Sequence, residues 1–217
     1  MKGELKFIDN KTAIDFLMPR HYSGRKPRIS KAFGWYINSN LVAVCTFGKP
    51  ASASLCDGIC GKEHSHSVYE LNRLCRINEL NEPISQFVSA CLRRLRTESW
   101  IIVSYSDTDM NHNGYIYQAC NFIYTGCTKE RTDKYTEGNK HPRHYNNDNQ
   151  NGLRKVRFAK HRYVFFATHD KKLKKLWKES LNYTICDFPK GENKNYVLGE
   201  YQNVKIVKAQ QDVAPKI

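Results

Sequence analysis

The stretch Trp100 to Gly126 reads WIIVSYSDTDMNHNGYIYQACNFIYTG, and its pattern decides the fold class. Trp100 to Ser104 is a continuous apolar run, the mark of a strand buried on both faces. A polar turn follows, Asp107 to Asn113, and then a helix over 114–120. Asn121 stands where that helix must end, and Asn tolerates the left-handed conformation common at a helix C-terminus. Phe122 to Thr128 returns as a strand. A buried strand, a polar turn and a helix in succession put a ligand crevice at the carboxyl end of an open α/β sheet. Asp107 falls there, three residues beyond Ser104, and Tyr117 lies early enough in the next helix to face it. A turn or N-cap role is the plain alternative for Asp107, and simple packing for Tyr117.

Working outward, residues 4–8 (ELKFI) read as a first strand and Asn10 to Leu17 as a helix. His21 to Ser30 (HYSGRKPRIS) is a basic loop. Lys31 to Ile37 and Leu41 to Phe47 are two strands joined by a tight turn at 38–40. Residues 48–67 read as loop, Val68 to Ile77 as a strand, and Ile84 to Leu95 as an amphipathic helix opening after Pro83. Beyond the central unit, Thr132 to Gly152 reads as a long polar loop, Tyr163 to Thr168 as a strand and Lys171 to Leu181 as a basic helix. The pattern predicts an α/β (α+β) fold with one mixed sheet of about six or seven strands, parted near Ser104 and flanked by helices.

The chain has 217 residues, 40% of them hydrophobic, enough for one cored domain and too many for a disordered or disulfide-stapled chain. The expected domain runs 1–203, with a basic part at about 154–200 and a fraying tail at 204–217. No apolar run is long enough to span a membrane, and the opening MKGELKFIDNK lacks an apolar leader, so the expectation is a cytoplasmic protein. Thirty-five Lys and Arg against 21 Asp and Glu leave a net charge of +14, which favours a polyanionic partner. The stretch Arg154 to Lys175 is strongly basic with interleaved aromatics, so nucleic acid is the expected partner ahead of a membrane surface. Most of the eight cysteines sit in apolar strings and read as small buried hydrophobes. Cys56 and Cys60, with His64 and His66, span too few residues to fold around zinc, so an ordinary polar loop is the better reading.

The order β-α-ββ-β-α-β-α-β resembles the GNAT acyltransferase fold. Its helix pattern Leu-Tyr-x-x-x-Gly-Phe is matched by Ile116-Tyr117-Gln118-Ala119-Cys120-Asn121-Phe122. The strings HYS (21–23), YELNRLCR (69–76), SYSDT (104–108), GYIYQACNFIYTG (114–126), HRYVFF (161–166) and PKGENKNY (189–196) are together similar to the Mom family of bacteriophage DNA-modification proteins. The similarity covers about residues 5–200. It implies an enzyme of the bacterial host cytoplasm that adds a carbamoylmethyl group to the N6 amine of adenine in double-stranded DNA, shielding it from restriction. One departure stands out: Asn78 to Gln86 (NELNEPISQ) lacks the glycines with which GNAT enzymes cradle a pyrophosphate.

The resemblance implies catalytic roles for His21, Tyr22, Asp107 and Tyr117, with Tyr117 as acid or positioning group. His21 and Asp107 are also the tentative ligands of a metal, with iron as the candidate. Arg73, Ser104, Ser85 and Gln86 are the expected cofactor contacts, for an acyl-CoA-like or other donor. Arg25, Lys26, Arg28, Lys171, Lys172, Lys174 and Lys175 are the expected nucleic-acid contacts, with the loop Lys140 to Asn151 beside them; for the basic helix a solvated face is the plain alternative. His112 reads as a residue that opens a helix. Two other functions stay open, an acetyl-CoA-dependent N-acetyltransferase of a small amine or protein and a non-catalytic nucleic-acid-binding protein. A homodimer is compatible with all three.

Overall fold

The computed structural model describes residues 3–80, 83–135, 152–191, 199, 202 and 204–208. β1 (Glu4–Phe7) leads into α1 (Asn10–Leu17), capped by the Asp9 carboxylate, which accepts the Thr12 N–H at 2.8 Å. β2 (Lys31–Ile37) and β3 (Asn40–Gly48) form a hairpin with Asn38 and Ser39 at φ 49° and 65°, as a two-residue turn of this hand requires. α2 (Ala53–Cys60) and a 3-10 turn precede β4 (Val68–Arg76), and α3 (Ile84–Leu95) connects β4 to β5 (Trp100–Asp107). After a further 3-10 turn come α4 (Tyr115–Ala119), β6 (Ile123–Cys127), β7 (Arg131–Lys134), β8 (Leu153–Arg157), β9 (Lys160–Ala167), α5 (Lys171–Glu179) and β10 (Ile206–Lys208).

Seven strands form the main sheet in the order β1-β2-β3-β4-β5-β9-β6. β4 and β5 run parallel, and the other described pairs are antiparallel. The expected mixed sheet is therefore present, and the element order through β6 is the one read as GNAT-like with α2 added between β3 and β4. β4 and β5 pair only from Val68↔Ile101 to Leu71↔Ser104 and then part, β5 following β9 while β4 follows β3. Ser104 is fully buried and donates its hydroxyl to the Leu71 carbonyl at 3.0 Å, so a side chain occupies the acceptor where the ladder stops.

Helices cover both faces. α3 and α4 pack on Ile102, Tyr163 and Phe165, whereas α2 and α5 pack on Ile101, Val103, Val164 and Phe166. α5 is the expected basic helix, and it is anchored by Trp177, 1% exposed, with its lysines outward.

Three expectations change. Residues 48–67 are not loop: Ser52 caps α2, and Cys56, Ile59 and Cys60 form its buried stripe. Burial pushes the Cys60 thiol up to about 12, and that thiol donates to the Trp177 carbonyl, so this cysteine pair packs as hydrophobe rather than as metal ligand. The polar loop expected at 132–152 begins as strand β7, which pairs with β8, and the tail expected to fray contributes β10 to the same three-stranded sheet. The remaining loop candidate, Lys140 to Asn151, lies outside the described residues.

Trp177→Ala removes the anchor of α5 and leaves a large cavity, a change that costs on the order of 3–5 kcal/mol. Denaturant unfolding checks this. The joint neutralisation of Lys171, Lys172, Lys174 and Lys175, all exposed, is expected to leave stability within about 0.5 kcal/mol of the parent.

Candidate active site

The parting of β4 and β5 opens a cleft of about 580 Å³. β4 contributes Glu70, Asn72 and Arg73 to its wall, β5 contributes Tyr105 and Ser106, and α4 contributes Tyr117. The 21–30 loop closes the near side with His21, Tyr22 and Arg25. Side chains of β4 fasten the backbone of this loop to the sheet. Asn72 accepts the Thr46 hydroxyl at 2.6 Å and donates to the Arg28 carbonyl at 2.8 Å, and Arg73 donates to the Arg25 carbonyl at 3.3 Å. Gly48 lets the loop lie close, since a Cβ there would sit 1.9 Å from the Arg28 carbonyl oxygen.

The rings of His21 and Tyr22 stack at 4.5 Å, and His112 meets Tyr22 edge-on at 5.7 Å. His21 is buried, and its Nδ1 accepts the backbone N–H of Ser23 at 3.2 Å. A neutral imidazole with Nδ1 accepting carries its proton on Nε2. Burial first, then the positive charges of Arg73, His112 and Lys160, push the His21 pKa down to about 3. His21 is thus a neutral donor at physiological pH, not a base waiting for a proton.

Asp107 is 3% exposed, and both its oxygens are occupied. Oδ1 accepts the Asp109 amide at 3.2 Å, capping the 3-10 turn, and Oδ2 takes the Lys160 ammonium at 2.9 Å and Gln202 at 3.4 Å. The pair follows from register, because Asp107 stands opposite Lys160 on β9. Asp107 lies behind the wall and holds Lys160, which lines the cleft. Its charge still reaches the Tyr22 hydroxyl, which burial pushes up to about 12.

Glu70 was not singled out from the sequence, and the structure puts it in the cleft. Burial raises its carboxyl above the ordinary value, while Arg73 and Lys160 act in the opposite direction. Among the described residues it makes no hydrogen bond or ion pair. Burial raises the Tyr117 hydroxyl well above its ordinary value, with a hydrogen bond to Ser104 opposing, so it stays protonated. Two buried polar atoms in the lining have no partner among the described residues, the Arg73 Nε and the Ser106 hydroxyl. Buried polar groups are normally satisfied, so each is a position for a ligand atom or an ordered water.

The sequence model of the Mom protein family matches residues 3–190. The chain belongs to the Mom family. No curated protein sequence matches this member of it. Among solved structures it is similar to an N-acetyltransferase from Staphylococcus aureus Mu50, at TM-score 0.48 and 10% identity, over 77% of this chain and 100% of that one. It is similar to an IAA acetyltransferase from Bacillus cereus, at TM-score 0.47 and 10% identity, over 76% and 99% of the two chains. A Bacillus subtilis acetyltransferase in complex with CoA aligns at TM-score 0.44 and 15% identity, over 76% and 99%.

Of the residues that the Mom resemblance marked as catalytic, His21, Tyr22 and Tyr117 meet in one cleft, with Asp107 behind it. Of the expected cofactor contacts, Arg73 lines the cleft, but Ser104 does not, being spent on the Leu71 carbonyl. Ser85 and Gln86 open α3 and do not line the cleft. Arg25 reaches it, whereas Lys26 and Arg28 are exposed on the same loop outside its lining. The four lysines of α5 follow the Ala167 end of β9, which pairs with Trp100 at the opposite end of the sheet from the cleft.

His21 and Asp107 do not fit the tentative metal. A histidine that ligates through one nitrogen donates from the other, and an N–H already faces Nδ1 here. Both Asp107 oxygens are taken, and the described residues hold no group of three metal-capable side chains.

Because His21 is neutral when folded and has an ordinary pKa near 6.5 when unfolded, the unfolded state binds more protons between about pH 3 and 6.5. Stability contributed at this position is fully present above pH 6.5 and falls on acidification through that window. Unfolding of parent and His21→Asn across this range is expected to show a shallower acid-side loss in the variant. An imidazole that titrates near pH 6.5 by NMR in the folded chain contradicts the assignment.

Proposed function

We propose that this chain is a transferase that modifies the N6 amine of adenine in double-stranded DNA, adding a carbamoylmethyl group from an acyl-CoA-like or other activated donor. The observation that carries the reading is the juxtaposition in one cleft of Glu70, a half-buried carboxylate without a partner among the described residues, with Tyr117, a hydroxyl held protonated. That pair suits a transfer in which a weakly nucleophilic amine attacks an electrophilic carbon. Glu70 takes the proton the amine loses, and Tyr117 supplies one to the departing group. Arg73 and Ser106 have donors free for the donor's polar atoms. The Lys160 ammonium, fixed by Asp107, keeps the cleft positive for an anionic substrate. The base must leave the helical stack to reach such a cleft.

Membership of the Mom family supports the DNA substrate, and the net charge of +14 suits it. A cleft of about 580 Å³ lined by unsatisfied polar atoms weighs against a purely binding role. Acetyl-CoA turnover on small amines, without any modified nucleoside, is the result that favours a conventional N-acetyltransferase.

Mass spectrometry of nucleosides from plasmid DNA tests the proposal directly: expression of the parent chain yields carbamoylmethylated deoxyadenosine. Glu70→Gln and Tyr117→Phe are each expected to lower the modification by about 10²–10⁴. Parent-level modification by Glu70→Gln removes the base from the mechanism. The parent rate is also expected to fall on acidification through the raised Glu70 value, above the usual carboxylate range, because a protonated carboxyl cannot accept the amine proton.

A further inference from the structure

Between β6 and β9 the chain leaves the main sheet to form β7 and β8, and β10 from the C-terminal stretch joins them in a small sheet, β10-β8-β7. Directly opposed residues share a face of a sheet, and so do alternate residues along a strand. The register therefore puts Arg131, Lys155, Arg157 and Lys208 on one face, with Asp133 as its acid. Asp133 is already engaged by Arg157 at 2.7 Å and by Arg131 at 3.5 Å. Lys155 has no ion-pair partner among the described residues, and neither does Arg25 from the neighbouring loop. Lys155 and Arg157 of this face line the cleft together with Arg25, so the face and the site share these cations. Burial and the repulsion among these three lower the pKa of both Arg25 and Lys155. Cations so placed are crowded and partly desolvated, and Asp133, which faces Arg157 and opposes the shift at Lys155, offsets that cost only in part.

The position of this sheet is fixed, not incidental. The turn Phe158-Ala159 joins β8 to β9 and is pinned to the 3-10 turn after β5 by Thr108, whose hydroxyl and amide both donate to the Ala159 carbonyl, at 2.6 and 3.4 Å. Lys160, the next residue, is the partner of Asp107. The same few residues thus set the cation wall and the cleft in one frame.

We propose that this face of the β7-β8-β10 sheet, together with Arg25, is the wall on which the phosphate backbone of duplex DNA lies while the target base occupies the cleft. The inference deepens the reading of the chain as a DNA-modifying enzyme and rests on it. It replaces the lysines of α5, which lie at the other end of β9, as the principal phosphate contacts.

The test is fluorescence anisotropy with a labelled duplex over roughly 50–200 mM salt, the range in which phosphate neutralisation dominates affinity. The parent is compared with Arg25→Gln/Lys155→Gln/Lys208→Gln and with the four α5 lysines changed to Gln. The triple variant removes cations whose side chains make no ion pair among the described residues, and an unchanged thermal midpoint confirms it is folded. Its affinity is expected to fall at least ~10-fold, with the log–log salt slope shallower by about 0.9 for each phosphate no longer neutralised. Lys155→Arg keeps the parent slope, and so does the α5 variant. A folded triple variant with the parent slope overturns the proposal, as does a weakening confined to the α5 variant. Weaker binding of coenzyme A with unchanged duplex binding also overturns it, by assigning these cations to the donor. Nucleoside analysis runs separately: a parent chain that binds DNA through this sheet but yields no modified base sinks the catalytic reading and leaves the wall standing.

Discussion

The functional end of this molecule depends on the separation of two parallel strands. β4 and β5 share a ladder for four residue pairs and then follow different neighbours, β4 staying with β3 and β5 with β9. A strand twists against whichever partner it keeps, so two adjacent strands bound to divergent neighbours must part. The buried Ser104 hydroxyl takes the Leu71 carbonyl at the point of separation and limits the cost of the broken ladder. What opens beyond is a cleft walled by residues of both strands, backed by the Asp107–Lys160 ion pair and closed on its near side by the 21–30 loop. Each of those parts is positioned by hydrogen bonds to the main chain rather than by side-chain packing alone.

Electrostatics gives the cleft its character. Arg73, Lys160, Lys155, Arg157 and Arg25 surround it, and the acids near it are Glu70 and the already committed Asp107. In this field His21 is stripped of its proton and Tyr22 and Tyr117 keep theirs, burial being the leading cause in each case. Glu70 feels opposed influences, burial raising its pKa and two cations lowering it, which holds a carboxylate above its ordinary range without locking it in an ion pair. Groups whose environments push them in different directions are the ones suited to exchanging protons with a substrate.

Much of the frame was legible because it is written in periodicity. The apolar run Trp100 to Ser104, the hairpin at Asn38-Ser39 and the stripe of α3 each follow from local pattern, and all three stand as read. α2 was not legible, since its buried stripe is made of Cys56, Ile59 and Cys60 among Ser, Asp and Gly, a composition that reads as loop until Trp177 covers it. The three-stranded sheet escaped for a different reason. RTDK and LRKVR are charged on successive residues, and a strand that carries cations on both faces has no hydrophobic alternation to betray it.

The sequence by itself determined the class of fold, the excess of positive charge and the family motifs, because these reside in local periodicity and in residue identity. It marked His21, Tyr22, Asp107, Tyr117 and Arg73 through the family strings, and it left Glu70 unremarked because that residue sits in an ordinary strand pattern. Only the tertiary structure decided what these groups do. Protonation depends on burial and on charges that arrive from distant segments: Lys160 is 53 residues from Asp107 yet bonded to it, and Arg73 is 48 residues from Arg25 yet fastened to its carbonyl. Such distances in sequence carry no periodic signal, and the free energy that sets a proton's position is fixed only when the solvent has been excluded.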